Sequence, residues 1–403
     1  MLKGRTVVVG ITGGIAAYKS AEIVRKLKKL NADVHVVMTD NACNFITPLT
    51  MQTLSQNMVV TDMFEKPLNW EIEHLSLARK ADIIIAAPAT ANILGKIANG
   101  IADDILTTTI MAAKSPVMFA CAMNTCMYEN QIVQNNISRL KKVGYIFVEP
   151  EEGFLACNEE GKGRLADVDE IIEKTVRNLL YKPDLAGKTI LVTAGPTIER
   201  IDPVRYITNG SSGKMGYAIA RTAAARGAKV VLISGPVSLK KPSGVETICV
   251  ETAQQMHDEV IKRHEHSDVI IMSAAVADYR PKTIAINKIK KSSEELSIDL
   301  IKNMDILKEV GEKKGKRIVV GFSMETENIE ANSTKKLKEK NLDLIVINDI
   351  GKEGAGFGTD TNIVKFINKF GMMSDLPIMH KDKIADKILD EILSIEKIDK
   401  EIK

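Results

Sequence analysis

Across 403 residues there is one tryptophan, aromatic side chains make up only 4%, and the five cysteines include no CxxC pair. An odd cysteine count without paired spacing argues against a disulfide framework and fits a reducing compartment. No apolar stretch approaches the ~20 residues that a membrane helix requires. Formal net charge is only +3 and the lysines are dispersed, apart from the short cluster Asn287–Lys291, so a nucleic-acid footprint is lacking. An Asp-rich cage for a permanent metal is lacking too. The opening MLKGRTVVVGITGG interrupts its apolar run with glycines, as a strand entering a turn does, and has no signal-peptide h-region. These absences lead to the expectation of a soluble, cytoplasmic protein with neither nucleic acid nor membrane as partner.

What is present is an ordinary globular balance, 45% hydrophobic and 27% charged, over a length suited to two or three domains. TVVVGI (6–11), DVHVVMT (33–39), DIIIAAP (82–88) and PVMFACA (116–122) read as short β-branched strands, and residues 13–30 as the first amphipathic helix. Continuous apolar strands separated by helices predict a parallel sheet covered on both faces. Around YKPDLAGK (181–188) the pattern restarts with KTILVTAGP (188–196), a helix over 213–227, and strands at 229–236, 268–279, 317–323 and 343–349. Two nucleotide-binding-like α/β domains follow, residues 1–185 and 186–403.

Gly13 and Gly14 stand where a strand meets a helix, the geometry in which backbone N–H groups face a phosphate. Thr90 and Asn92 in PATANILGKIANGIADDIL read as helix-cap residues at the carboxyl end of the sheet, where doubly wound folds bind ligands. His74 in WEIEHLSLAR, Asn124 in AMNTCMY and Cys157 in the loop GFLACNEEGKGRL are the remaining polar candidates, the last as a proton donor carried on a loop. Taken singly, each has an ordinary structural reading as a helix-end, turn or loop residue.

In the second half, ITNGSSGKMG (207–216) looks like a P-loop but encloses two residues between its glycines where a Walker A loop has four, and Met215 follows the Lys. Ser211, Ser212 and Gly213 at a helix start can instead form an anion nest. Lys288, Lys290 and Lys291 offer a charge clamp for phosphates. Lys336 and Lys340, four residues apart, share one helix face.

Together TGGIAAYK, His74, PATANxxxKxAxGxADD, AMNxxM and ACxxxGxGR resemble the homo-oligomeric flavin-containing cysteine decarboxylases, in particular the phosphopantothenoylcysteine decarboxylases. GPTxExIDPVRxITNxSSGKMG and GFxxET resemble the phosphopantothenate–cysteine ligase signature. The resemblance, from about residue 5 to 395, implies a bifunctional enzyme of coenzyme A biosynthesis. Its fold would be α/β with two doubly wound, Rossmann-like domains, an N-terminal flavodoxin-like cysteine decarboxylase domain and a C-terminal nucleotide-binding ligase domain. For the first it implies FMN held by Gly13, Gly14, Thr39, Thr90 and Asn92. His74 would assist oxidation of the substrate thiol to a thioaldehyde, Asn124 hold the substrate carboxylate or amide, and Cys157 protonate the enethiolate left when CO2 departs. For the second it implies CTP and Mg2+ in a site of Ser211, Ser212, Gly213, Ser273, Ala274, Asp278, Lys288, Met304, Asp305, Ile306, Leu307, Phe322, Lys336 and Lys340. There Lys288 would stabilise the α-phosphate, Asn209 turn over the acyl-cytidylate, Arg205 help hold 4'-phosphopantothenate, and Asp278 be the candidate metal ligand.

Small-molecule substrates and a homo-oligomer are implied as well: trimeric decarboxylase domains with the flavin at the interface and dimeric ligase domains, which together would build a dodecamer. Cys121, Tyr128, Asn158 and Gly210 depart from the usual family wording. Two other readings are a nicotinamide-dependent oxidoreductase, for which no full GxGxxG is present, and a non-catalytic relative. The latter would be marked by loss of His74, Asn124, Cys157 or Lys288, all of which are here.

Overall fold

Val7, Val8 and Val9 follow one another without a polar residue, as a strand buried on both faces requires. The computed structural model describes residues 1–64, 73–154, 160–290, 296–324, 329–348 and 358–401. It divides into two compact units, Met1–Tyr181 and Lys182–Lys403.

The strands of unit 1 are β1 (Thr6–Ile11), β2 (Asp33–Met38), β3 (Val59–Val60), β4 (Ile83–Ala89), β5 (Val117–Cys121), β6 (Ile146–Val148), β7 (Glu151–Phe154) and β8 (Glu160–Arg164). The helices are α1 (Ser20–Lys29), α2 (Asp40–Cys43), α3 (Pro48–Ser55), α4 (Glu73–Lys80), α5 (Ala91–Ala98), α6 (Ile105–Ala112), α7 (Thr125–Glu129), α8 (Gln131–Lys142) and α9 (Val168–Leu180). Six parallel strands run in the order β3-β2-β1-β4-β5-β6, and β7 pairs with β8 as a separate antiparallel hairpin. Strand alternation sends Val7, Val9, Ile83 and Ile85 to a core completed by Ile23 and Leu27 of α1 and Ile171 of α9. Val8, Ile84 and Ala86 face the opposite core, completed by Leu94 of α5, Leu106 of α6 and Leu140 of α8. The helix expected over 13–30 opens with a 3-10 turn, Ile15–Lys19, before α1 begins, a common tightening of a helix start.

Unit 2 repeats the plan with β9 (Thr189–Ala194), β10 (Ile198–Arg200), β11 (Tyr206–Thr208), β12 (Lys229–Ser234), β13 (Glu246–Cys249), β14 (Val269–Met272), β15 (Tyr279–Pro281), β16 (Leu300–Lys302), β17 (Ile318–Met324), β18 (Leu344–Asn348), β19 (Thr361–Asn368) and β20 (Met373–His380). Its helices are α10 (Lys214–Ala225), α11 (Ala253–Arg263), α12 (Ile306–Glu312), α13 (Ile329–Glu339) and α14 (Lys381–Glu401). The main sheet runs β13-β12-β9-β14-β17-β18-β19-β20, with only β19 and β20 antiparallel to their neighbours. In both sheets the first strand sits between the strand that follows it and one reached by a reversed crossover, the switch point at which doubly wound folds open a crevice.

Two expectations are corrected here. The strand expected over 268–279 stops at Met272, because the next backbone donors leave the ladder: Ala275 N–H donates to the Gly195 carbonyl (2.9 Å) and Ala277 N–H to Thr197 Oγ1 (2.9 Å). The loop expected between residues 196 and 212 contains the hairpin β10–β11, with Ile198 opposite Thr208. Among the described residues no helix is long and apolar enough to cross a membrane.

Candidate active sites

In unit 1, four helix starts meet at the carboxyl ends of the strands: Gly14 before the 3-10 turn, Thr39 before α2, Thr90 before α5 and Asn124 before α7. Thr90 Oγ1 accepts from the Ile93 N–H (3.5 Å), and Asn124 Oδ1 from the Cys126 N–H (2.9 Å). Thr12 Oγ1 donates to the Pro88 carbonyl at 2.7 Å and lies 3.4 Å from Thr90 Oγ1, tying the β1 turn to the β4 turn. A Cβ on Gly13 would fall 2.4 Å from Asn41 Cβ, so only glycine lets the β1 turn close against the turn after β2.

These segments enclose a cavity of about 1070 Å³, lined by Gly13, Gly14, Thr39, Thr90, Asn92 and Asn124 together with Ile15, Ala16, Ile93 and Met123. Apolar walls for a ring system and helix-start N–H groups for a phosphate are the donor set a flavin mononucleotide needs, and the residues present fit it. His74 is in the first turn of α4, half-buried, and is not among the residues lining this cavity. Cys157 lies outside the described residues, as does Asn158. The strands flanking them pair with Phe154 opposite Glu160, and β8 is fastened to the Asn124 turn by the Met123 N–H donating to the Gly163 carbonyl (3.0 Å).

In unit 2, Gly213 takes φ +75° at the start of α10, a left-handed turn that glycine adopts freely. Asn209, Ser211, Ser212, Gly213, Ser273, Ala274, Asp278, Met304, Asp305, Ile306, Leu307, Phe322, Lys336 and Lys340 all line one cavity of about 670 Å³. Asn209 Nδ2 donates to the carbonyls of Ala275 (3.1 Å) and Val276 (3.2 Å), holding its loop against the segment that leaves β14. Ser273 Oγ is buried at the cavity wall without a hydrogen-bond partner among the described residues, a group that asks for a ligand atom. Lys336 Nζ donates to the Phe322 carbonyl (3.0 Å), and Lys340 pairs with Asp305 (2.8 Å). Burial alone would raise the Asp305 pKa, but the bonds from Lys340 and the Lys308 N–H outweigh it and hold the carboxyl below its ordinary value.

Two sequence candidates stand apart from this cavity. Lys288 is exposed and Arg205 points elsewhere: its Nη2 donates to the Ile289 carbonyl (2.6 Å) and pairs with Asp202 (2.9 Å). Asp202 is fully buried and also accepts from the Val204, Arg205 and Ile289 N–H groups, so it captures the guanidinium and staples this turn to the lysine loop. Lys290 is exposed, and Lys291 is outside the described residues. Asp278 is exposed at the cavity rim, and no group of three or more His, Cys, Asp or Glu side chains arranged to hold a metal occurs among the described residues.

The cavities also contain residues to which the sequence reading gave no role, several of them standing inside its motifs. Lys19, Lys96, Asp103, Asp104 and Arg164 line the first. Lys96 bridges Asp103 (2.7 Å) and Asp104 (3.1 Å), and chiefly the Asp103 bond holds its pKa above the ordinary value. Lys214, Asn348, Asn362 and Lys381 line the second. Lys214 pairs with Asp360 (2.7 Å), while Lys381, at the head of α14 and buried, donates to the Thr359 carbonyl. Burial first, and then the Lys214 charge, push the Lys381 pKa down.

Three of the departures from family wording, Tyr128, Cys121 and Gly210, lie among the described residues. Tyr128 is buried, its hydroxyl donates to Glu149, and Lys162 Nζ sits 5.4 Å from its ring centroid. Burial, reinforced by Glu149, pushes the Cys121 thiol up to about 12. A Cβ at Gly210 would meet nothing within 4 Å, so a larger residue would fit there as well.

Residues 1–180 match the family model described as Flavoprotein, and residues 185–395 the model described as DNA/pantothenate metabolism flavoprotein C-terminal domain. The chain is 49% identical over 400 residues to the coenzyme A biosynthesis bifunctional protein CoaBC of Bacillus subtilis (strain 168), covering 98% of each chain. It is 45% identical over 392 residues to the protein of the same name from Borreliella burgdorferi, covering 96% of this chain and 99% of that one. The crystal structure of the C-terminal domain of a coenzyme A biosynthesis bifunctional protein CoaBC is 46% identical, covers 53% of this chain and 97% of its own, and superposes with a TM-score of 0.46. With both family models matched in order and relatives identical at nearly half of all positions end to end, the chain belongs to the family of bifunctional coenzyme A biosynthesis enzymes.

Proposed function

We propose that unit 2 joins 4'-phosphopantothenate to cysteine at the expense of CTP, and that unit 1 decarboxylates the resulting 4'-phosphopantothenoylcysteine to 4'-phosphopantetheine with FMN. The observation that carries this reading is the pair of cavities, one per unit, each at a switch point, the first lined by Gly13, Gly14, Thr90, Asn92 and Asn124 and the second by Asn209, Ser211, Ser212, Phe322, Lys336 and Lys340. The domains responsible are residues 1–185 and 186–403.

In the ligase half, the substrate carboxylate attacks the α-phosphorus of CTP, pyrophosphate leaves, and the cysteine amine then displaces CMP to form the amide. Lys336 and Lys340 offset the triphosphate charge, and Phe322 packs against the base. Asn209, already oriented by two carbonyls, holds the acyl-cytidylate. Ser211, Ser212 and Gly213 present backbone donors to an anionic oxygen. Lys288 stabilises charge at the α-phosphate and Arg205 helps hold 4'-phosphopantothenate. Mg2+ would be held mainly by the nucleotide, with Asp278 at the rim the candidate protein ligand.

In the decarboxylase half, FMN would supply a two-electron couple that takes up a hydride equivalent and later returns it, which leaves the overall step redox-neutral. Gly13, Gly14, Thr39, Thr90 and Asn92 hold it, Asn124 orients the substrate carboxylate or amide, and Cys157 returns a proton to the enethiolate. His74, absent from the cavity wall of its own chain, acts in the cavity of a second copy in a trimer. Ile15 and Tyr18 support this arrangement: both line the cavity and are about 60% exposed (61% and 59%), apolar surface suited to a neighbouring chain. The ligase domains dimerise, and the enzyme works in the cytoplasm.

The test is incubation of the purified protein with 4'-phosphopantothenate, cysteine, CTP and Mg2+, followed by mass spectrometry. 4'-Phosphopantetheine together with CMP is the expected outcome, and absence of both products refutes the reading. Mixing a His74→Asn variant with a Cys157→Ser variant, subunits exchanged, should restore decarboxylation that neither has alone. No restoration would return His74 to its own cavity.

A further inference from the structure

Unit 2 contains a buried amide to which no step of the ligase reaction gives a role. Asn303 follows β16 directly, is only 8% exposed, and lines the cavity together with Ala277, Asp278, Met304 and Asp305. Three of its polar groups are in use. Its backbone N–H donates to the Asp278 carbonyl (2.8 Å), its Nδ2 donates to the Ala277 carbonyl (2.8 Å), and its Oδ1 accepts from Arg280 Nη1 (2.7 Å). A carbonyl can only accept and a guanidinium can only donate, so these partners fix which way the amide faces.

The fold explains why bonds are needed at this place. After Met272 the chain leaves the sheet, and residues 273–278 arch over the cavity without a ladder to hold them. The Ala275 N–H ties the middle of the arch to the Gly195 carbonyl, and the Ala277 N–H ties it to Thr197 Oγ1. At the far end the carbonyls of Ala277 and Asp278 both meet Asn303. Ala277 is buried, so its carbonyl depends on a protein donor. Arg280, in the stretch ADYRP (277–281), also reaches the Lys302 carbonyl (3.4 Å), and β15 and β16 continue the junction with Tyr279 opposite Lys302.

We propose that Asn303, oriented by Arg280, is a positioning residue: it sets Asp278 against the wall formed by Met304–Leu307 and so determines how tightly the cavity holds the nucleotide. This rests on the ligase reading of unit 2. The amide touches neither the α-phosphate nor the carboxylate in that reading; it acts through the segment it clasps. With the clasp open, the end of the arch gains freedom that nucleotide binding must remove again, and that cost falls on affinity rather than on bond making. The charge of Arg280 strengthens the bond that holds the amide in place.

The experiment uses the full-length protein with Mg2+ present and the variants Asn303→Ala, Arg280→Met, Arg280→Lys and Asp278→Asn, with Asn303→Ala and Asp278→Asn also combined. CTP binding is measured by calorimetry, and KM for CTP, KM for cysteine and kcat by CMP release. Asn303→Ala should raise both Kd and KM for CTP about tenfold or more, the scale of a buried carbonyl left without its donor. KM for cysteine and kcat at saturating CTP should stay within about twofold of wild type. Arg280→Met should show part of the same loss and Arg280→Lys should regain some of it. Both keep Asn303 itself, so the test stands even where Asn303→Ala does not fold. Because Asn303 acts through Asp278, the double variant should bind CTP no more weakly than the weaker of its two single variants. Unchanged CTP affinity in Asn303→Ala and Arg280→Met overturns the proposal. So do losses that multiply in the double variant, or a fall in kcat with both KM values raised together, which would mark a general loosening of unit 2. A wild type that binds no CTP brings down the ligase reading, whereas wild-type binding with unaffected variants brings down this inference alone.

Discussion

Gly163→Ala should separate the two activities. A Cβ at position 163 would lie 2.1 Å from the Met123 carbonyl oxygen and 3.4 Å from the Asn124 carbonyl carbon. Contact between carbon and oxygen begins at about 3.3 Å, so β8 and the Asn124 turn must part by roughly 1 Å. Neither partner is a flexible side-chain end, and the Met123 N–H to Gly163 carbonyl bond at 3.0 Å crosses the same junction. Overpacking of this kind costs about 1–3 kcal/mol. For a domain of this size each kcal/mol lowers Tm by roughly 2–4 °C.

The functional effect should be larger than the loss of stability. Asn124 and the strand leading out of the Cys157 loop are the parts displaced, and a misplacement of about 1 Å costs on the order of 100-fold in rate. With 4'-phosphopantothenate, cysteine, CTP and Mg2+ supplied, the variant should accumulate 4'-phosphopantothenoylcysteine while CMP release continues, since the change lies in unit 1. Wild-type rates of 4'-phosphopantetheine formation would refute the claim that this junction sets the geometry of the site. Loss of CMP release as well would show that the change acts through global unfolding.

Other changes follow from the same geometry. Thr90→Ala removes the cap on the Ile93 N–H and the contact with Thr12, so unit 1 should lose about 1 kcal/mol in a thermal melt and retain less flavin by absorbance. Lys336→Ala should raise KM for the nucleotide about tenfold or more, from loss of a charged contact, while decarboxylation of added 4'-phosphopantothenoylcysteine continues. Cys121 is held at about 12 by burial and then by Glu149, so raising pH to 8 leaves only roughly one part in ten thousand as thiolate. Iodoacetamide at pH 8 should therefore modify the exposed Cys126 and Cys249 and spare Cys121 in peptide mass spectra, with Cys121 labelled only after denaturation.

Much of the site was legible because it sits at places where local chemistry is distinctive. Gly13, Gly14, Thr90 and Asn124 are turn and cap residues directly after apolar strands, and all four line one cavity. The string from Asn209 to Gly213 is likewise a helix start. Lys336 and Lys340 share a helix face and line the unit 2 cavity together. Lys19 and Arg164 stand in the motifs TGGIAAYK and ACxxxGxGR, yet only the fold shows that both line one cavity. Lys381 enters the unit 2 cavity from the head of the last helix, more than 160 residues from Lys214, whose charge it feels.

The sequence by itself determined the alternation of strand and helix, the restart near residue 185 and the Gly- and Thr-rich turns that end the first strands. Each of those depends on neighbours within a few residues, through steric limits, capping and apolar period. Tertiary structure alone decided that the segment after Met272 leaves the sheet, that Asp202 captures Arg205, and that His74 is not on its own chain's cavity wall. Those outcomes rest on which distant backbone donor or buried carboxylate a group meets. Such partners are chosen by packing across the sheet, where separation along the chain carries no information.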